Sequence, residues 1–210
     1  MVCTPMRAAS ANTFYTAGLL NSHGLLGAWV PLTGQSDLYV ARNVLVNEFL
    51  SQPTFHTMVF IDSDIGFLRD DLARLLSHEE DIVTGCYPGR SLALDSVVKK
   101  IGNTRLLLEE MDAPGLIEVS GIPMGFVKIT RAALLKMIAH GHLEPYGKKT
   151  PFTKHQFFNG LVLDDELCSE DISFSHLARV AGVKLYADGH IRLNHDGYCF
   201  PPPKKVALSI

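Results

Sequence analysis

The chain is poor in cysteine, with four in 210 residues: Cys3, Cys86, Cys168 and Cys199. No two of them form a CxxC pair, which argues against a thiolate zinc site. Cys3 and Cys86 sit in strand-like apolar runs and read as small buried hydrophobes. Reduced thiols and a cytosolic setting are expected, although an even number of cysteines leaves disulfides open. Runs of about 18 apolar residues are also missing, so no membrane-spanning helix is expected. "MVCTPMRAAS" has no basic stretch followed by a long apolar core, so it does not read as a secretory signal. The formal net charge of −3 supplies no global basic field, which weakens a nucleic-acid reading while leaving room for a local basic groove. There is no internal repeat and no low-complexity segment.

What is present is ordinary for a globular domain: 47% hydrophobic and 20% charged residues, enough chain for one compact core. "MVCTP", "LLGAWVPL", "HTMVFID" and "IVTGCYP" read as strands. "ANTFYTAGLLNSHG", "SDLYVARNVLVNEFLSQP" and "LRDDLARLLSHEED" read as the helices between them. Val40, Val44, Leu45 and Phe49 mark the apolar face of the second helix; Leu68, Leu72, Leu75 and Leu76 mark that of the third. This β-α-β-α-β-α-β order predicts a three-layer α/β/α fold with a mainly parallel central sheet and ligands bound beyond the carboxyl ends of its strands. After residue 90 the pattern changes. "SVVKKIGNTRLLLEE" and "GLIEVSGIPMGFVKIT" predict strands with local antiparallel pairing, and "RAALLKMIAHGH" and "SEDISFSHLARVAG" predict helices. "VKLYADGHIRLNHDGY" predicts a strand, a turn and a short strand. Residues 142–160 read as a polar, aromatic loop, and "CFPPPKKVALSI" as an extended tail.

Four features carry chemistry. The first is Asp62-Ser63-Asp64 in "HTMVFIDSDIGF", two carboxylates at the end of an apolar strand. Both can reach one hard divalent cation, Mg²⁺ or Mn²⁺, which would neutralise them and bridge a diphosphate. A bare DxD is common by chance, and only its place after a buried strand sets this one apart. The second is Ser169-Glu170-Asp171 at a helix start, where acidic residues also simply suit the helix dipole. The third is His195 in "RLNHDGY": most lone histidines are packed or exposed, but a neutral imidazole can complete a carboxylate metal site. The fourth is Arg42 in "YVARNVLV", whose guanidinium is either solvated or aimed at a phosphate or base.

Taken in order, the first strand with Thr4-Pro5, "ARN", "FIDSDIGF", "GCYPGR", "GIPMGFVKITRAAL", "SEDISF" and "NHDG" resemble nucleotide-sugar-dependent glycosyltransferases of the GT-A fold, in particular small phage- and virus-type members. The resemblance spans nearly the whole chain. It implies one domain over 1–210, with 1–90 as the nucleotide-binding half and 91–210 as the acceptor and catalytic half. It implies Mn²⁺ or Mg²⁺ at Asp62, Asp64 and His195, and a nucleoside-diphosphate sugar, by default a UDP-sugar, at Thr4, Pro5, Arg42, Ser63 and the Gly121–Gly125 segment. Asp171 matches the general base of inverting members, with Glu170 beside it. The acceptor it implies is a glycan or a modified base in phage DNA, and the setting is cytoplasmic, in the host for a viral chain. Residues 142–160 match nothing in the family.

The chemistry suits these residue types. A nucleoside diphosphate leaves with concentrated negative charge, which a divalent cation stabilises without proton transfer. A positioned carboxylate can take the proton of the acceptor hydroxyl. Lys148, Lys149, Lys154, Lys204 and Lys205 form either a local basic rim or scattered surface charge. Two other classes stand beside this reading. A non-catalytic sugar-nucleotide or carbohydrate-binding module would need a broken site, yet Asp62, Asp64, Asp171 and His195 are all present. A nucleotidyltransferase ordinarily carries a Gly-rich phosphate loop after its first strand, and "CTPMRAASAN" has no glycine.

Overall fold

The computed structural model describes residues 1–6, 10–89, 95–147 and 153–201. The first half alternates as its apolar runs predict: β1 (Val2–Met6), α1 (Thr13–Asn21), β2 (Trp29–Thr33), α2 (Leu38–Ser51), β3 (Thr57–Ile61), the two-residue β4 (Ile65–Gly66), α3 (Arg69–Ser77) and β5 (Ile82–Cys86). Then come β6 (Asp95–Lys100), β7 (Arg105–Leu107), β8 (Ile117–Gly121), β9 (Phe126–Thr130) and α4 (Arg131–His140). Residues 142–160 contain β10 (Pro145–Tyr146) paired with β11 (Lys154–His155), and a hairpin follows from β12 (Val162–Leu163) and β13 (Glu166–Leu167). After these stand α5 (Glu170–Val180), β14 (Leu185–Arg192), β15 (Asn194–His195) and β16 (Tyr198–Cys199). Lys154 lies in β11, while Arg90, Lys148, Lys149, Lys204 and Lys205 lie outside the described residues.

One sheet runs in the order β2-β1-β3-β9-β5-β14-β8-β6-β7. Its pairing is mixed rather than mainly parallel. The pairs β1–β2, β1–β3 and β5–β14 are parallel, and every pair made by β9, β8 or β7 is antiparallel. Most strands still point one way, and β9, β8 and β7 oppose them. β8 and β9 were expected to pair locally, but they run in the same direction and so cannot close a hairpin. β9 lies between β3 and β5, and β8 between β14 and β6.

The three layers follow from strand alternation. Met58 and Phe60 of β3 face one core, with Leu45, Val46 and Phe49 of α2, Leu134 of α4 and Phe174 of α5. Val59 and Ile61 face the other, with Tyr15 of α1 and Leu72 and Leu75 of α3. A strand covered on both faces reads as an unbroken apolar run, which is why "MVFI" shows no period of two. Each such side chain contributes about 1.5–3 kcal/mol when fully buried. Cys3 and Cys86 are buried within this frame, and both are free thiols.

Two apolar faces differ from expectation. In α2, Leu45 and Phe49 are buried as predicted, but Val44 is 42% exposed while Arg42, Asn43 and Asn47 are buried. Polar side chains turn inward there because they have partners inside. In α3, Leu68 precedes the first helical residue and is exposed, and its backbone N–H donates to the Asp71 carboxylate at 2.8 Å.

Candidate functional site

The site forms where the apolar run of β3 stops. The turn after Ile61 is held by backbone bonds from separate parts of the chain. Asp62 N–H donates to the Gly125 carbonyl at 3.0 Å, Asn12 N–H to the Ser63 carbonyl at 2.8 Å, and Asp196 N–H to the Asp64 carbonyl at 3.1 Å. Ile65 N–H closes the turn on the Asp62 carbonyl at 3.0 Å. The carboxylates therefore stand on a fixed backbone at the carboxyl end of a central strand, where ligands of open α/β sheets bind.

Arg42 is the hub. Its Nη2 donates to Asp62 Oδ2 at 3.1 Å, and its Nη1 donates to Glu170 Oε1 at 2.9 Å and to Asp171 Oδ1. Burial disfavours the charged guanidinium, but Asp171, Asp62 and Glu170 together outweigh it and raise its pKa. Asp171 also accepts from the Met124 backbone N–H at 3.3 Å. Burial pushes the Asp171 carboxyl up to about 6, opposed by Arg42 and reinforced by the like charges of Glu170 and Asp62. Burial likewise raises Asp62, against Arg42 and with Asp64. Ser169 stands at the N-cap of α5 without a side-chain capping bond, so the first-turn acids serve the cluster rather than the cap.

His195 reaches the same place by a different route. β15 pairs antiparallel with β4, setting His195 opposite Ile65. A two-residue turn, Asp196-Gly197, with both φ positive (52° and 93°), sends the chain on into β16. Asp-Gly is the pair that this hairpin geometry prefers. His195 Nδ1 lies 2.9 Å from the Pro88 carbonyl, which can only accept, so Nδ1 carries the proton. Nε2 then faces Asp64 Oδ2 at 3.6 Å.

The remaining sequence candidates occupy distinct positions. Thr4 and Pro5 lie near the end of β1, which runs one residue further, to Met6. Thr4 is buried, bonded to the Tyr15 hydroxyl at 2.7 Å and to the Trp29 indole N–H at 3.2 Å. A Cβ on Gly125 would meet the Tyr87 hydroxyl at 2.4 Å, and that hydroxyl accepts the Gly125 N–H at 2.9 Å. A Cβ on Gly121 would meet Ile172 at 2.8 Å. These glycines permit close packing beside the carboxylates.

Asn43 and Asn47 are the residues that sequence reasoning passed over. The Asn43 amide accepts from Phe157 N–H at 2.7 Å and Phe158 N–H at 3.0 Å and donates to the Phe158 carbonyl at 2.6 Å. The Asn47 amide both accepts from and donates to the His155 backbone, each at 2.9 Å. One turn of α2 thus clamps the segment before β12 while Arg42 holds the acids. Their i, i+4 spacing beside Arg42 was the available signal.

A divalent cation is tested by what these atoms lack. Asp62 Oδ1 is buried with no hydrogen-bond partner. Three carboxylates, Asp62, Glu170 and Asp171, share one guanidinium, which leaves an excess of negative charge. Among the described residues no three His, Cys, Asp or Glu side chains converge as a ready metal centre. Asp62 and Asp64 offer carboxylate oxygens on one turn, and a cation that keeps waters and phosphate oxygens can be held by one or two carboxylates.

No protein-family model and no curated protein sequence matches the chain. Among solved structures it is similar to A197 from STIV, with a TM-score of 0.60 and 18% identity over 98% of this chain and 95% of that one. That likeness establishes a shared fold. A glycosyltransferase involved in glycosylation of the major capsid of PBCV-1 aligns with a TM-score of 0.34 and 11% identity, over 64% of this chain and 61% of that one. The nucleoside-diphosphate-sugar pyrophosphorylase of Vibrio cholerae RC9 aligns with a TM-score of 0.42 and 9% identity, over 89% and 91%. These two are too distant to support a functional argument. No helix among the described residues is long and apolar enough to cross a membrane.

Proposed function

We propose that the chain is a metal-dependent glycosyltransferase that moves a sugar from a nucleoside-diphosphate sugar, with UDP-sugars as the default donor, to a hydroxyl on a glycan or a modified DNA base. One observation carries this reading. A carboxyl held at about 6 and an unpartnered carboxylate oxygen meet on one buried arginine beyond the end of β3. Perturbed carboxyls grouped on one arginine at a strand end are a feature of functional sites.

Asp64 and His195, with Asp62 Oδ1, would hold Mn²⁺ or Mg²⁺. When bound, the ion supplies positive charge against the departing diphosphate. The Nδ1–H bond to Pro88 fixes the imidazole so that Nε2 presents its lone pair. Asp171 takes the proton of the acceptor hydroxyl as the new oxygen–carbon bond forms at the anomeric centre. The bond from that carbon to the diphosphate breaks, and the nucleoside diphosphate leaves with its electron pair. Glu170 keeps the Asp171 pKa up and shares Arg42, which keeps the acids in place. If Asp171 takes only a proton and does not attack the sugar, displacement inverts the anomeric carbon. The Gly121–Gly125 segment borders the donor sugar, and the Thr4–Pro5 strand backs the nucleoside.

The test is a donor screen: purified protein, Mn²⁺ and a panel of sugar nucleotides, followed for release of nucleoside diphosphate. Release from one donor is expected, abolished by chelator. Release of pyrophosphate instead, or no turnover and no donor binding across the panel, overturns the reading.

A further inference from the structure

Two adjoining cavities lie on the Asp171 side of the site; Asp62, Asp64 and His195 line neither, and Ile122 and Pro123 of the donor-sugar segment border the smaller. The larger, about 610 Å³, lies between the β12–β13 hairpin and the outer face of α5. The smaller, about 310 Å³, reaches Asp171 itself. Lys99, Glu166, Cys168 and Ile172 line both, so they form one continuous cleft. Each lies within the roughly 300–1,000 Å³ span of small-ligand pockets. The Asp171 side chain is 23% exposed, enough to meet a group in the cleft while Arg42 holds it from behind.

The lining selects a chemistry. In the larger cavity two cations, Lys99 and Arg179, are balanced by two anions, Asp164 and Glu166. A polyphosphate backbone needs a net positive groove, and this one is neutral. Among the described residues no Phe, Tyr or Trp lines either cavity, so a base would find no ring larger than the His176 imidazole to stack on. Interleaved donors and acceptors, with Asn103, Ser120 and His176 able to act as both, suit adjacent hydroxyl groups. The β12–β13 hairpin above turns on Asp164 and Asp165 with φ of 51° and 64°, the two-residue turn geometry in which aspartate is common. It presents Val162 and Leu167 at 67% and 79% exposure, apolar surface without a partner beside a polar cleft.

We propose that this cleft is the acceptor subsite and that it takes a neutral, hydroxylated glycan rather than a nucleic acid, with one glycan hydroxyl delivered to Asp171. Lys99 and Glu166 bind the sugar hydroxyls from opposite sides, and the hairpin covers the bound chain. The assignment rests on the transferase reading for the role of Asp171, but the cleft's ligand class can be tested without it.

The experiment has two arms. Labelled protein is applied to an array of neutral oligosaccharides, acidic oligosaccharides and DNA oligonucleotides that include hydroxymethylated bases. In parallel, donor turnover is followed with and without the best array ligand. Binding to neutral oligosaccharides is expected, at least tenfold weaker in Glu166→Ala and in Lys99→Ala. Glu166 is on the exposed hairpin, so its variant does not threaten the fold. Preference for DNA or acidic glycans, or no binding to any neutral glycan, overturns the assignment even if donor turnover is present. Neutral-glycan binding that both variants weaken, with no donor turnover, upholds the cleft and removes the transferase reading instead.

Discussion

Arg42, buried in α2, donates its Nη1 to the carboxylate of Asp171, 129 residues further along the chain. The same nitrogen reaches Glu170 and the other terminal nitrogen reaches Asp62, so one side chain joins both halves of the site.

Removing that charge leaves three partly buried carboxylates without their counter-ion. Arg42→Met should cost about 3–5 kcal/mol, the usual loss when one partner of a buried ion pair is deleted. Urea denaturation at pH 7 measures it. Arg42→Lys keeps the charge but not the fork, and should fall between the two. A midpoint unchanged in Arg42→Met would show that the cluster is solvated rather than held.

Asp171 gives two pH effects of known sign. Its folded pKa, about 6, lies above its unfolded value, so the native state binds the extra proton between about pH 4 and 6. Stability from this group therefore falls as pH rises through that window, and Asp171→Asn should flatten the slope. Transfer needs the ionised form, so its rate should climb with pH to a plateau above about 6. Asp171→Asn should bind donor normally and lose about 10²-fold or more in transfer. Near-normal transfer in the variant would place the base elsewhere.

How much of this was legible in advance depends on which residues report on themselves. The Asp62–Asp64 turn was readable because two charges interrupt an apolar run; His195 was picked out by its motif and the family resemblance, and nothing in the sequence places it opposite Ile65. The sheet's mixed pairing was not readable, since an antiparallel strand buried on both faces has the same apolar run as a parallel one. Nothing local in "GFVKIT" says that it slots between β3 and β5. Asn43 and Asn47 looked like the wet side of α2, because helical periodicity assigns inside and outside by apolarity alone. "MVCTP" read as a strand that stops at Pro5, one residue short of its end at Met6. Proline has no N–H to give, but β1 continues through it, beside β2 at its edge.

The His195 prediction concerns the ion. His195→Ala should raise the Mn²⁺ concentration for half-maximal turnover by about 10-fold or more, and Asp64→Ala should lose donor binding as well as turnover. Circular dichroism should show both folded. Full activity of the unaltered protein in excess chelator would remove the ion from the mechanism.

Away from the site, Asp188 of β14 is fully buried. It accepts from Arg74 Nε at 2.5 Å and from His78 Nε2 at 2.8 Å, both on the α3 side, and from the His190 backbone N–H at 2.9 Å. Burial pushes its pKa up, but the Arg74, His190 and His78 bonds outweigh that and leave it below the usual aspartate value. A depressed folded pKa means stability that is present above the unfolded value and lost as pH falls through the folded one. Asp188→Asn should cost about 2 kcal/mol at neutral pH, the scale of hydrogen bonds to a charged group. The gap to the unaltered protein should close under acid, in paired urea titrations.

The place of β9 has a consequence for how the molecule is made. β3 and β5 carry the first half of the sheet, yet in the sheet they touch only through β9, which lies some forty residues beyond the end of β5. Until Phe126–Thr130 has been synthesised, each presents an open edge where β9 will lie. The turn bearing Asp62 lacks the Gly125 carbonyl that anchors it. A nascent chain stopped near residue 90 would hold its strands apart, with exposed edges of the kind that invite pairing with other chains. A chain cut at the change in sequence pattern would keep β3 and β5 but lose the strand that joins them, leaving an unfinished sheet.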